Sequence, residues 1–173
     1  MAKRKADGST PALRALTAAG VSFTARPYAH DPSATSYGLE AAEALGVDPE
    51  RVFKTLLVSV DGRLAVGIVP VDGRLDLKAV AAALGGKRAT MADPASAERA
   101  TGYVVGGISP VGQRRAHPTV LDVAATTFPT VLVSGGRRGL DLELAPADLV
   151  AVTGATVAAI ARVGSSGRGR EQD

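Results

Sequence analysis

Lys54 stands in the run Arg51-Val-Phe-Lys-Thr-Leu-Leu-Val-Ser-Val60, which otherwise reads as an apolar strand. Side chains alternate along a strand, so Val52, Lys54, Leu56, Val58 and Val60 share one face. If that face packs on the core, the ammonium group is held at the edge of a low-dielectric site. It then calls for an anionic partner, from the protein or from a ligand. The simpler alternative is a lysine at the solvated start of a strand, or one guarding a sheet edge.

Two glycine-bearing segments offer complementary chemistry. Gly102-Tyr-Val-Val-Gly-Gly-Ile-Ser-Pro-Val-Gly112 carries the paired Gly106 and Gly107 at the end of an apolar stretch expected to be a strand over 103–107. Paired glycines let a ligand approach backbone N–H groups, which can hydrogen-bond a carbonyl or a developing oxyanion. A bulge or a sharp bend before Pro110 explains them equally, and the segment matches no phosphate-binding signature. Val131-Leu-Val-Ser-Gly-Gly-Arg-Arg-Gly-Leu-Asp-Leu-Glu-Leu144 reads as a hairpin with its loop at 135–139. Leu140, Leu142 and Leu144 share one face, so Asp141 and Glu143 share the other. Either those carboxylates face water, or Ser134 and Asp141, which flank the loop, project toward whatever covers that face. Arg137 and Arg138 at the tip are placed to meet phosphates or simply to be solvated. A fourth cluster gathers Tyr28, His30, Asp31 and Tyr37 in a chain with only three Tyr, three Phe and no Trp.

The absences narrow the chemistry. With no cysteine, disulfides, thiolate zinc sites and cysteine nucleophiles are excluded. The two histidines, His30 and His117, lie far apart, and there is neither a helical His-x-x-x-His pair nor a Gly-x-Ser-x-Gly elbow. Catalysis is expected to use no metal, no cofactor and no imidazole.

At 173 residues and 46% hydrophobic composition the chain is expected to form one domain with a real core. No window approaches about 18 consecutive apolar residues, and the first residues lack the apolar region of a secretory signal, so no membrane partner and a cytoplasmic address are expected. The net charge of +3 is concentrated at the ends, in Lys3, Arg4 and Lys5 and in Arg168 and Arg170. The body is close to neutral, so charge alone does not predict RNA binding.

Residues 1–9 and 164–173 read as disordered ends around a domain of residues 10–163. Thr10-Pro11 opens a helix that Gly20 closes, and Val21 to Tyr28 reads as a strand. A helix over 36–45 stops at Gly46. Asp61-Gly62 joins two strands spanning 53–71 into a hairpin. Helices follow over 75–84 and from Asp93-Pro94 to about Gly102. Strands are expected at 119–124, 130–134 and 140–144, a helix from Pro146, and either state over 156–161. Consecutive hairpins imply an α+β domain with a mixed, largely antiparallel, barrel-like twisted sheet flanked by helices.

In combination, Tyr28-Ala-His-Asp-Pro32, Val52-Phe-Lys-Thr-Leu-Leu-Val58, Leu75-Asp-Leu-Lys78, Met91-Ala-Asp-Pro94, Gly106-Gly-Ile-Ser-Pro110 and Ser134-Gly-Gly-Arg-Arg-Gly-Leu-Asp141 resemble the YbaK family of aminoacyl-tRNA deacylases. These are relatives of the editing domain inserted in bacterial prolyl-tRNA synthetase. The likeness runs from about Thr10 to Arg162. It is greatest to the free-standing deacylases that clear Cys-tRNA(Pro). The resemblance implies a cytoplasmic hydrolase acting on tRNA(Pro) mischarged with cysteine. It places the family's essential lysine on Lys54 and its pocket on Tyr28, Tyr37, Gly106, Ser134 and Asp141; the paired Gly107 is added from its place in the sequence. It also implies attack by the substrate's own thiol, while the near-neutral body, with weak tRNA affinity of its own, points to prolyl-tRNA synthetase as a partner in recognising tRNA(Pro).

The chemistry is physically coherent. Proline and cysteine are of similar volume, and a binding pocket separates such substrates by only ~1–3 kcal/mol, which a second, hydrolytic site can remedy. If alanine were the amino acid removed, water would have to attack instead. A deacylase for alanine or serine, and a non-catalytic module docking on tRNA or a synthetase, are the alternative readings.

Overall fold

The structure, a computed structural model, describes residues 9–163, so the ends expected to be disordered lie, apart from Ser9, outside the described residues. Five helices, α1 (Pro11–Ala19), α2 (Tyr37–Leu45), α3 (Leu77–Ala83), α4 (Pro94–Thr101) and α5 (Pro146–Thr153), are interleaved with ten strands among those residues. The strands are β1 (Phe23–Pro27), β2 (Phe53–Val60), β3 (Arg63–Pro70), β4 (Gly73–Leu75), β5 (Ala89–Met91), β6 (Thr119–Asp122), β7 (Val131–Arg137), β8 (Leu140–Leu144), β9 (Thr156–Ala158) and β10 (Ala161–Val163).

The strands form a five-stranded sheet in the order β5-β2-β3-β6-β9, a three-stranded sheet β1-β8-β7 and a pair β10-β4. Pairing is antiparallel except for β3 with β6 and β6 with β9. The expected α+β class with a mixed, largely antiparallel sheet is what forms. The barrel does not close: the two larger sheets meet at an isolated bridge between Val52 and Leu132.

Local chemistry explains the main elements. The Thr10 side chain accepts from the Leu13 N–H at 3.2 Å to cap α1, and its hydroxyl donates to the Gly135 carbonyl, pinning the helix to β7. Asp61 and Gly62 both take positive φ, 50° and 85°, as a two-residue hairpin turn requires. Strand β2 is buried on both faces. Phe53 and Leu57 join a core with Leu16, Ile68 and Leu142, while Leu56, Val58 and Val60 join another with Val69, Leu75 and Val80. That double burial is why the run around Lys54 is continuous rather than alternating.

Several local expectations are corrected. No strand forms over 103–107. Gly102 takes φ +81° to close α4, the Gly107 N–H donates to the Val104 carbonyl, and Gly106 takes φ +91°, so the segment is a turn. Tyr103 tucks inward instead, donating its hydroxyl to the Val111 carbonyl at 2.7 Å. Strand β7 runs on through Gly135-Gly136 to Arg137 by way of a bulge after Ser134, leaving only Arg138-Gly139 as the turn. Helix α3 starts later than expected because Asp76 caps it, accepting from the Ala79 N–H, which releases Leu75 to β4. The ambiguous stretch over 156–161 contributes strand at β9 and the start of β10. Among the described residues, no helix is long and apolar enough to cross a membrane.

Candidate active site

A cavity of about 130 Å³ opens between the two larger sheets and the elements that flank them. Of the seven residues singled out from the sequence, six line it: Tyr28, Tyr37, Lys54, Gly106, Ser134 and Asp141. They come from the end of β1, the start of α2, β2, the turn after α4, β7 and β8. Most of the remaining wall is apolar, with Val52, Phe53, Leu57, Val71 and Ile108 among its members.

Gly107 is the exception. A Cβ at that position would lie 2.9 Å from the Arg137 Cα and 3.2 Å from the Arg138 nitrogen, so its glycine permits the turn to pack against the hairpin. Its N–H is already engaged by Val104. Gly106 is the member of the pair that reaches the cavity. A Cβ there would fall 2.6 Å from Arg138 Nε and 2.8 Å from the Tyr37 ring. The Arg138 guanidinium lies 4.1 Å from the centroid of that ring and donates through Nη2 to the Val105 carbonyl at 2.8 Å. Helix α2, the Gly106 turn and the hairpin tip are thereby joined at one edge of the site.

Along β8, Asp141 is opposite Arg26 of β1 on one side and Ser134 of β7 on the other, so the three side chains form a row across one sheet face. Asp141 is 5% exposed, which rejects the water-facing alternative. Arg26 does not neutralise it directly: its Nη1 donates to Glu143 Oε1, and Glu143 also accepts from Arg51 and from Thr130 Oγ1 at 2.6 Å. Burial therefore dominates at Asp141 and raises its carboxyl from 3.8 to about 7, against the lowering influence of Arg26. Burial likewise raises the Tyr28 phenol, opposed by a hydrogen bond from Gly139 and assisted by the charges of Asp141 and Glu40.

The cluster around Tyr28 divides. Both tyrosines line the cavity, whereas His30 and Asp31 serve their surroundings. His30 Nδ1 lies 2.7 Å from Glu40 Oε1, and the Asp31 N–H donates to Glu40 Oε2, fixing the loop to α2 below Tyr37. His117 pairs with Gln113 at 3.1 Å, away from the cavity. Among the described residues, no group of three or more His, Asp or Glu side chains is placed to hold a metal.

Two features escaped the sequence reading. Thr55, beside Lys54, also lines the cavity, and its hydroxyl is buried with no hydrogen-bond partner among the described residues. Its adjacency to the lysine was the available signal. Arg26 had none, because its relation to Asp141 depends on pairing between strands from opposite ends of the chain.

Residues 30–152 match the aminoacyl-tRNA editing domain family. The chain belongs to that family. The matched span contains every cavity residue singled out above except Tyr28, which precedes it by two positions. The chain is 35% identical over 162 residues, 92% of its length and 98% of the relative's, to a protein of Enterococcus faecalis named as a candidate Cys-tRNA(Pro)/Cys-tRNA(Cys) deacylase. It is 37% identical over 103 residues to the proline–tRNA ligase of Moorella thermoacetica, covering 60% of this chain but only 18% of that enzyme. Among solved structures, one described as a candidate trans-editing enzyme for prolyl-tRNA synthetase superposes with a TM-score of 0.76 at 29% identity, covering 89% of this chain and 98% of the other.

Proposed function

We propose that this chain is a trans-editing hydrolase that removes cysteine from mischarged tRNA(Pro) in the cytoplasm. The observation that supports this reading is the convergence of Lys54, Gly106, Ser134 and Asp141 with two tyrosines on one small, mostly apolar cavity in an editing-domain fold. The near full-length likeness to a candidate Cys-tRNA(Pro)/Cys-tRNA(Cys) deacylase adds the substrate class.

In this reading Lys54 holds the 3′-terminal phosphate or ribose and so fixes the ester over the cavity. The turn at Gly106 brings backbone close to the carbonyl, where a donated hydrogen bond would stabilise the developing oxyanion. Gly107 takes no direct part, since its N–H is spent on Val104. The attacking group is the cysteine thiol of the substrate or a water. Attack on the carbonyl carbon breaks its bond to the ribose oxygen, which leaves as the hydroxyl after taking the proton lost by the attacking thiol or water. Thiol attack releases a cyclic thioester, whose C–S bond water then cleaves to give free cysteine. With a body near neutrality, affinity for tRNA is expected to be weak alone and strengthened by prolyl-tRNA synthetase. A pull-down with the synthetase, and tRNA binding measured with and without it, test that partner.

The test of the function is to incubate the protein with tRNA(Pro) charged separately with cysteine, alanine and proline, and to follow each ester. Rapid loss of the cysteinyl ester with the prolyl ester spared is expected. Loss of the alanyl ester alone would transfer the substrate to alanine, and no loss above the spontaneous rate would overturn the proposal.

A further inference from the structure

Among the described residues Asp141 is the only carboxylate lining the cavity, in a wall that also carries Lys54 and Arg137. A buried carboxylate is costly unless a cation or several donors compensate it. Here the nearest cross-strand cation, Arg26, is tied to Glu143, which already has Arg51 and Thr130. On the other side stands Ser134, a hydroxyl rather than a charge. The fold has therefore kept an anionic group at the cavity wall and directed the adjacent arginine elsewhere. Burial has raised that carboxyl to about 7, so a cation arriving with a ligand would restore its ionised form.

We infer that Asp141 receives the α-ammonium group of the aminoacyl ester, and that the enzyme thereby selects esters with a free amine over those whose α-nitrogen is acylated or replaced by oxygen. This rests on the functional reading above and adds a recognition element to it. In an aminoacyl ester the ammonium is attached to the carbon that bears the scissile carbonyl. An ion pair at Asp141 therefore fixes the carbonyl relative to the cavity wall while the side chain occupies the apolar part. The pairing is charge-assisted and water-poor, conditions under which such a hydrogen bond discriminates strongly. N-acylated esters, peptidyl-tRNA included, would bring an uncharged amide to a carboxylate and leave it uncompensated.

The experiment compares tRNA(Pro) carrying cysteine with tRNA(Pro) carrying 3-mercaptolactate, the α-hydroxy isostere, each corrected for its spontaneous hydrolysis. Wild type is expected to favour the amino ester at least about tenfold in kcat/KM, in line with a hydrogen bond to a charged group. Asp141→Asn is expected to bring the ratio toward one by slowing only the amino ester. Equal rates on both esters by wild type would overturn this inference alone, and would fit a neutral carboxyl that donates to the ester carbonyl. A ratio unchanged in a folded Asp141→Asn protein would also overturn it. Hydrolysis of neither ester would overturn the functional reading and this inference with it. Should Asp141→Asn fail to fold, the wild-type ratio still decides.

Discussion

Asp141 and Glu143 are acids two positions apart on one face of β8, yet they sit in opposite electrostatic surroundings. Glu143 is enclosed by Arg26, Arg51 and Thr130, and its carboxyl is held below the usual range, first by the Thr130 hydroxyl and then by the arginines. Asp141 is more deeply buried and has its carboxyl pushed up to about 7. The Glu143 end of the strand ties β1, β7, β8 and the turn before β2 into one unit. The Asp141 end carries an electrostatic cost and faces a cavity. A fold that satisfies one carboxylate three times over and leaves its neighbour with an arginine engaged elsewhere separates, under the proposed function, a structural station from a working one.

That division can be broken by substitution, and the expected effects fall in order. Lys54→Ala, on the cavity side, should lower single-turnover deacylation on the order of 100-fold, the scale of a misplaced ester. Its thermal midpoint should stay near wild type, and unchanged turnover would remove Lys54 from the mechanism. Asp141→Asn should cost roughly tenfold in kcat/KM, equivalent to about 1.4 kcal/mol, while leaving the protein as stable as before or more so at pH 8. Glu143→Ala should invert the pattern. It should lose about 1–3 kcal/mol of stability by leaving Arg26 and Arg51 poorly paired, with turnover on Cys-tRNA(Pro) close to wild type. Urea titration and the ester assay on the same preparations separate the two patterns.

The smallest expected effect lies in pH dependence, where the two acids carry opposite signs. Asp141 has a raised folded-state value, so its contribution is most favourable below 3.8 and is lost as pH rises through about 7. Glu143 has a lowered value, so its contribution is present above 4.5 and is lost as pH falls through the lowered folded-state value. Asp141→Asn should therefore flatten the decline in stability between about pH 4 and pH 7, and Glu143→Gln should flatten the loss on the acid side. Denaturation midpoints from about pH 2 to about pH 8 check both, and identical profiles for the two variants would refute the contrast.

Much of this was readable from residue types in order. Asp61-Gly62, Thr10-Pro11 and the glycines closing the helices located the hairpin and helix ends because each answers a local backbone requirement. Lys54 was conspicuous as a charge in a run that turned out to be buried on both sides. The turn at Gly106 was misread as strand because Tyr103-Val-Val has strand-like residues, while the two flanking glycines with positive φ dictate the path. The role of Gly107 was hidden because close approach to Arg137 is a tertiary fact. Residue type and alternation do not separate Asp141 from Glu143; only the place of Asp141 beside the loop and the family resemblance single it out. What separates them is the registration of β1 against β8, set by segments from opposite ends of the chain.

The most direct test of the cavity as the seat of ester cleavage is to titrate the protein with a 3′-amide analogue of cysteinyl-adenosine, which cannot be hydrolysed, and to follow the backbone amide resonances. The largest shifts are expected at Lys54, Gly106, Ser134 and Asp141, with little change at Glu143. Saturable binding whose shifts bypass those four residues would contradict the account.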